Sequence, residues 1–230
     1  MKAVILVAGK GTRMAKYYEG PKHLLPLNGK PVIEHTLDNL PADVDGLVLV
    51  VGGPHEQTIR DHFQDGYKNF PIEFAVQKEQ LGLAHAFWAA KDHVEGRWLG
   101  MVGDDYFGAT DLSRLVQEDM AVLAHRTEHP ENFGVLVVDE NNYLTNAVEK
   151  PKEFVSDLVS TAAMVMDETF FELEGKLEPS GRGEYETPDA WMKLIRDYGK
   201  KIKIIEAETW LPINDKEQLE AAEQTLKNRI

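Results

Sequence analysis

The sequence predicts an α/β fold built on an open, mostly parallel sheet, and three observations carry that prediction. Short β-rich runs alternate with amphipathic helical stretches through the first half, the pattern of a parallel sheet with crossover helices. The first run, Ala3 to Val7, empties straight into the turn Ala8-Gly9-Lys10-Gly11. A later run, Trp98-Leu-Gly-Met-Val-Gly103, ends on Asp104-Asp105. It sets carboxylates just past the carboxyl end of a buried strand, where open α/β sheets bind ligands.

The elements follow in order. Strands are expected at about 2–8, 46–52, 72–76 and 98–103, and helices at about 31–40, 55–65, 82–93 and 111–124. Pro31 suits a first helical position and Asp111 suits a cap. From Asn132 the pattern changes. Gly134-Val-Leu-Val-Val-Asp, a turn at Glu140-Asn-Asn, and Leu144 to Val148 read as a β-hairpin. A strand at about 159–166, a short helix near 167–174, a helix near 186–198, a strand near 202–206 and a helix near 215–228 complete the chain. No linker or repeat interrupts it. The expectation is one domain over 1–230, a Rossmann-like three-layer sandwich with a mixed, mostly parallel central sheet and an inserted hairpin.

Composition narrows the function. The net charge of −14 argues against nucleic-acid and anionic-membrane partners. No apolar run approaches the ~20 residues of a membrane span. The N-terminal strand lacks the h-region and cleavage site of a signal peptide. With no cysteine, disulfides and thiolate metal sites are excluded, and a cytoplasmic location fits.

Against that acidic background, Met1 to Ile33 holds six Lys or Arg residues and one acid, Glu19. Lys10, Arg13 and Lys22 flank the glycine turn. Glycines let backbone N–H groups approach a ligand, so positive charge gathered at such a turn points to a polyphosphate. Two familiar phosphate loops fail. A dinucleotide fingerprint needs a small residue where Met14 stands, and Gly11-Thr12-Arg13 is not the Gly-Lys-Ser/Thr of a P-loop.

Gly9-Lys-Gly11-Thr12-Arg13-Met14 followed by Pro21-Lys22 resembles the signature of the sugar-1-phosphate nucleotidylyltransferases. Further motifs match in the family's order up to about Leu219. The resemblance implies that Ala8, Gly9, Gly11 and Thr12 hold the nucleotide, while Arg13 and Lys22 act at its phosphates. Gln77 and Gly82, in Val76-Gln77-Lys-Glu-Gln-Leu-Gly82, would read uracil or thymine. Gln77 can both donate and accept at a base edge. His85, with no accompanying partner motif, reads as a polar residue of the helix. Asp104 would bind Mg²⁺, a hard cation that takes few protein oxygens and fills its shell with phosphates and water. A second ligand is implied at Asn214, in Trp210-Leu-Pro-Ile-Asn214-Asp215, with Asp215 held in reserve.

On the sugar side the resemblance implies Gly134, Glu149 and Lys150 of Glu149-Lys150-Pro151, and Ser160 and Thr161. Ser160 and Ala162 stand where the family usually has Asn and Gly, which leaves the hexose open. Gly183-Glu184-Tyr185-Glu186-Thr187-Pro188-Asp189 resembles another stretch near the sugar. Residues from about 1 to 125 would then form a nucleotide-binding half, and those from about 126 to 230 a sugar-binding half with the hairpin and a C-terminal helix. The activity implied is transfer of a nucleotidyl group from UTP or dTTP to a sugar 1-phosphate, with Mg²⁺ and release of pyrophosphate. A CTP-dependent transfer to a phosphorylated alcohol such as phosphocholine, and a non-catalytic nucleotide-binding paralogue, are the alternatives. A homo-oligomer is compatible with all three.

Overall fold

The computed structural model describes residues 1–9, 11 and 14–228. Its first strand, β1 (Lys2–Leu6), leads through a 3₁₀ turn at Lys22–Leu24 and a ribbon of β2 (Pro26–Leu27) and β3 (Lys30–Pro31) to α1 (Val32–Asp38). Then come β4 (Gly46–Val51), α2 (Glu56–His62), β5 (Ile72–Val76), α3 (Leu83–Trp88), β6 (Trp98–Val102), β7 (Tyr106–Phe107) and α4 (Ala109–Leu115). The second half holds β8 (Ala121–Arg126), β9 (Gly134–Val138), β10 (Leu144–Glu149), β11 (Leu158–Met166), α5 (Thr187–Tyr198), β12 (Lys203–Glu206), β13 (Trp210–Leu211) and α6 (Lys216–Lys227).

Strands from both halves share one nine-stranded sheet with a path β10-β9-β11-β6-β1-β4-β5; off that path β8 pairs with β11 and β12 with β8. The pairs β1/β4, β1/β6, β4/β5 and β8/β12 are parallel. β11 runs antiparallel to β6, β8 and β9. The chain steps outward from β1 through β4 and β5, then returns to place β6 on the other side of β1. Loops leaving the carboxyl ends of β1 and β6 therefore diverge, which opens a crevice at that switch point.

Period-2 alternation builds the two core layers. Val4, Leu6, Val48 and Val50 face one layer with Phe87 and Trp88 of α3 and Trp191 and Leu194 of α5. Ala3, Ile5, Leu47, Leu49 and Met101 face the other, with Ile33 of α1, Ile59 of α2 and Leu112 of α4. A third cluster sets Met14 against Leu27, Val32, Ile213, Ala222 and Leu226, so α6 backs the segment after the glycine turn. No helix among the described residues is long and apolar enough to cross a membrane.

Two expectations need correction. The helix expected over 111–124 stops at Leu115, and Ala121–Arg126 is a strand held between β11 and β12. A short run such as Ala-Val-Leu-Ala has no periodicity to separate helix from strand; its neighbours decide. Nor does Asp111 cap its own helix, whose cap position is Gly108. The carboxylate, fully buried, instead accepts from the backbone N–H groups of Glu208 at 3.0 Å and Thr209 at 2.8 Å. It fastens the approach to β13 onto α4.

Candidate active site

The crevice is floored by the ends of β1 and β6, and glycine sets its depth. A Cβ on Gly103 would stand 2.8 Å from Val7 Cγ1, so only glycine lets β6 finish this close to β1. The Gly103 N–H donates to Leu6 O at 3.0 Å, and the next residue, Asp104, emerges into the crevice. Gly11 adopts φ +59°, the left-handed region that favours glycine, with its Cα side facing Lys22.

Lys22 is buried, and its Nζ lies 2.7 Å from Asp104 Oδ2 and 3.4 Å from Asn214 Oδ1. Residues 82 and 192 positions apart from Lys22 thus converge on one ammonium. Burial pushes the Asp104 carboxyl up, but Lys22 and His23, with a backbone hydrogen bond, together hold the group below the usual carboxylate range. Asn214 is set by the start of α6. Its N–H donates to Gln218 Oε1 at 2.8 Å, while Asp215 Oδ1 caps the helix by accepting from Gln218 N at 2.9 Å. Asp215 thus caps the helix, and both it and Asn214 line the crevice. Asp105, 7% exposed, turns away from Lys22 and accepts from the Trp210 indole and the Ile213 N–H. Burial and the adjoining Asp104 push its carboxyl up. Thr12 and Arg13, with Lys10 beside them, lie outside the described residues.

Two cavities open from this point. The smaller, about 320 Å³, is lined by Ala8, Gly9, His23, Gln77, Gln80 and Gly82 among others. The larger, about 780 Å³, is lined by Gly134, Glu149, Lys150, Ser160, Thr161 and Ala162 as well as Asn214. Leu83, Val102 and Asp104 belong to both walls. Gly82 is required because a Cβ there would lie 2.5 Å from Tyr185 O. Gly134 is similarly constrained, by Pro188 Cγ at 2.9 Å from such a Cβ.

Within the larger cavity Ser160 Oγ accepts from Ala162 N at 3.0 Å, and Thr161 Oγ1 donates to Leu123 O at 3.0 Å. Both hydroxyls support the irregularity where β11 shifts register against β8. Ala162 sits there at φ +63°. Three residues, Arg182, Gln80 and His23, escape the sequence reading, which takes a fourth, His85, only as a polar residue of the helix. Arg182, next to the Gly183-Glu184 motif, pairs with Glu149 at 3.2 Å and Glu184 at 3.0 Å. Gln80 donates to Ala8 O at 2.5 Å and so braces the glycine turn from the loop after β5. His23, 3% exposed, has a pKa lowered to about 4 by burial, and its Nδ1 has no hydrogen-bond partner among the described residues. His85 Nδ1 lies 3.3 Å from Gln77 Nε2. Arg182 and Gln80 adjoin motifs already noted; nothing local marks His23 or His85.

Comparison with known proteins finds relatives over nearly the whole chain. The chain is 37% identical over 237 residues to the UTP–glucose-1-phosphate uridylyltransferase AglF of Haloferax volcanii, covering 99% of this chain and 97% of that protein. It is 39% identical over 202 residues to the bifunctional protein GlmU of Methanococcus vannielii, covering 85% of this chain but 48% of that protein. The chain thus matches about half of that bifunctional relative. A crystal structure of UDP-glucose pyrophosphorylase complexed with UDP-glucose shares the fold, with a TM-score of 0.86 at 19% identity over 100% of this chain and 99% of that one. The profile of the nucleotidyl transferase family matches residues 2–229, and the chain belongs to that family.

Proposed function

We propose that the protein transfers a nucleotidyl group from a pyrimidine nucleoside triphosphate, UTP or dTTP, to a sugar 1-phosphate, in a Mg²⁺-dependent reaction that releases pyrophosphate. The observation that carries this reading is the junction of the two cavities at Asp104, with Lys22 and Asn214 beside it. A reaction that joins two phosphorylated substrates needs two chambers meeting at a cation-rich point. The uridylyltransferase named for Haloferax volcanii supports the choice of substrates.

The smaller cavity takes the base and the glycine turn takes the triphosphate, with Gln77 and Gly82 at the base edge. The larger takes the sugar, with Glu149 accepting from hydroxyls and Lys150 at its phosphate. One phosphate oxygen of the acceptor attacks the α-phosphorus; the P–O bond to the β-phosphate breaks, and its electron pair leaves on pyrophosphate. A phosphate monoester has a second pKa of about 6, so the attacking oxygen is already an anion and the site needs no general base. The protein's work is positioning and charge neutralisation. Lys22, on four methylenes, reaches the α-phosphate from its place between Asp104 and Asn214, and Arg13 takes the outer phosphates.

Two oxygen donors that converge on one ammonium suit a hard dication. Among the described residues no cluster of three or more His, Asp or Glu could hold a metal by itself, which fits an ion that draws its other ligands from phosphates. Asp104 and Asn214 would hold Mg²⁺, which when bound supplies further neutralisation of the phosphate oxygens.

The test is pyrophosphate release across the four common triphosphates and a panel of sugar and alcohol phosphates, with and without Mg²⁺. Release is expected with UTP or dTTP plus a hexose 1-phosphate. Release only with CTP and a phosphorylated alcohol would overturn the reading.

A further inference from the structure

We propose that His85 is a positioning residue for base selection: it holds the Gln77 side-chain amide with its carbonyl oxygen toward the smaller cavity, so that the site takes uracil or thymine and rejects cytosine. This rests on the reading of the smaller cavity as the nucleotide site.

Gln77 is 6% exposed, and its backbone N–H donates to Val51 O at 2.8 Å, so the residue is fixed at the end of β5. Its side-chain Nε2 lies 3.4 Å from Gly82 O and 3.3 Å from His85 Nδ1. A backbone carbonyl can only accept, so the amide group facing Gly82 is the NH₂. Its second hydrogen then points to His85 Nδ1, which accepts it. Turning the amide over would set its oxygen against two acceptors at once.

The two acceptors are themselves held. The His85 ring stacks on Tyr185, with centroids 6.1 Å apart and planes at 21°, and meets Trp88 edge-on at 6.4 Å. Tyr185 N donates to Leu81 O at 2.7 Å and Ala84 N donates to Tyr185 O at 3.0 Å, which locks the loop carrying Gly82.

Gln77 Oε1 is left without a hydrogen-bond partner among the described residues, on a residue that lines the smaller cavity. A fixed acceptor asks its ligand for a donor. Uracil and thymine carry N–H at ring position 3, and cytosine carries a lone pair there. Cytosine is therefore penalised at this atom, and a cytosine that enters must first turn the amide over against His85.

The test measures kcat/KM for UTP and for CTP at fixed sugar 1-phosphate in wild type, His85→Phe and His85→Asn. Phenylalanine keeps a ring against Tyr185 and Trp88 but removes the acceptor, whereas asparagine restores an acceptor near the Nδ1 position. Wild type is expected to prefer UTP strongly. His85→Phe should lower the UTP:CTP ratio by about tenfold, mainly through KM, and His85→Asn should recover most of it. Equal ratios in wild type and His85→Phe would overturn the proposal, as would a loss in His85→Asn as large as in His85→Phe. If no pyrimidine triphosphate yields pyrophosphate, the transfer reading fails. Calorimetric binding of UTP and CTP to the same three proteins then decides the role of His85 by the same ratio.

Discussion

The Trp210 indole Nε1 donates to Asp105 Oδ2 at 3.0 Å, tying the β13 segment to the residue beside the proposed metal ligand. Ile213 N donates to the other oxygen at 3.2 Å. One carboxylate therefore holds the stretch that delivers Asn214 to the crevice. Adjacent aspartates divide the work: Asp104 faces the crevice and Asp105 holds the wall.

The two positions should separate cleanly on mutation. Asp105→Asn puts an NH₂ where one of two buried N–H donors needs an acceptor, and should cost about 1–3 kcal/mol of stability in urea denaturation. Asp104→Asn should unfold near the wild-type midpoint yet lose about a hundredfold in turnover with Mg²⁺. A stable Asp105→Asn beside an active Asp104→Asn would reverse the assignment.

Lys22→Met retains most of the packed stem and removes the ammonium between Asp104 and Asn214. Losing a preorganised charge at the reacting phosphates should cut kcat by about a hundredfold or more. Circular dichroism would check the fold. Near-normal pyrophosphate release from a folded Lys22→Met would remove this residue from the site.

His23 predicts an acid-sensitive stability. Its pKa falls from 6.5 to about 4 in the folded protein, chiefly through burial. Between those values the unfolded chain binds the proton and the native chain does not, so stability drops as pH is lowered through that window. At 1.36 kcal/mol per unit the loss reaches about 3 kcal/mol. Asp105 opposes it. Its folded pKa is raised, so its contribution is full at low pH and fades as pH rises through the folded value. The difference between wild type and His23→Leu, measured in metal-free protein from pH 7 to 4, isolates the histidine. The acid slope should flatten in the variant; an unchanged slope would contradict the account.

Ala162 stores strain at the wall of the larger cavity. A left-handed conformation costs an L-residue about 1–2 kcal/mol, of which glycine's unfolded-state freedom takes back about 0.5–1. Ala162→Gly should stabilise by about 0.5 kcal/mol and clear a methyl group from the cavity. A calorimetric Tm above wild type is expected, and a fall would show that the methyl's packing outweighs the strain.

The parts of this molecule legible in the sequence are those whose signals are local. The strand–glycine turn at Ala8-Gly9, the acid after Gly103 and the hairpin from Gly134 each sit within a few residues of the feature that marks them. What the sequence hid depends on distant partners. Ala121–Arg126 is a strand because β11 and β12 flank it. Asp111 looks like a cap until Glu208 and Thr209 arrive from the far end of the chain. His85 looks like a bland helix residue until Gln77 and Tyr185 meet it in space. That Asp215 caps α6 through Gln218 N while Asn214 lies beside Lys22 likewise shows only in space.

The most direct test of the central claim is identification of the product. The protein would be incubated with Mg²⁺, UTP and a hexose 1-phosphate whose phosphate oxygens carry ¹⁸O, and the products analysed by mass spectrometry. The account predicts a nucleoside diphosphate sugar that retains all of the acceptor's label, including the bridging oxygen, with unlabelled pyrophosphate. Label appearing in pyrophosphate, or formation of UMP with no sugar nucleotide, would contradict attack by the acceptor phosphate at the junction of the two cavities.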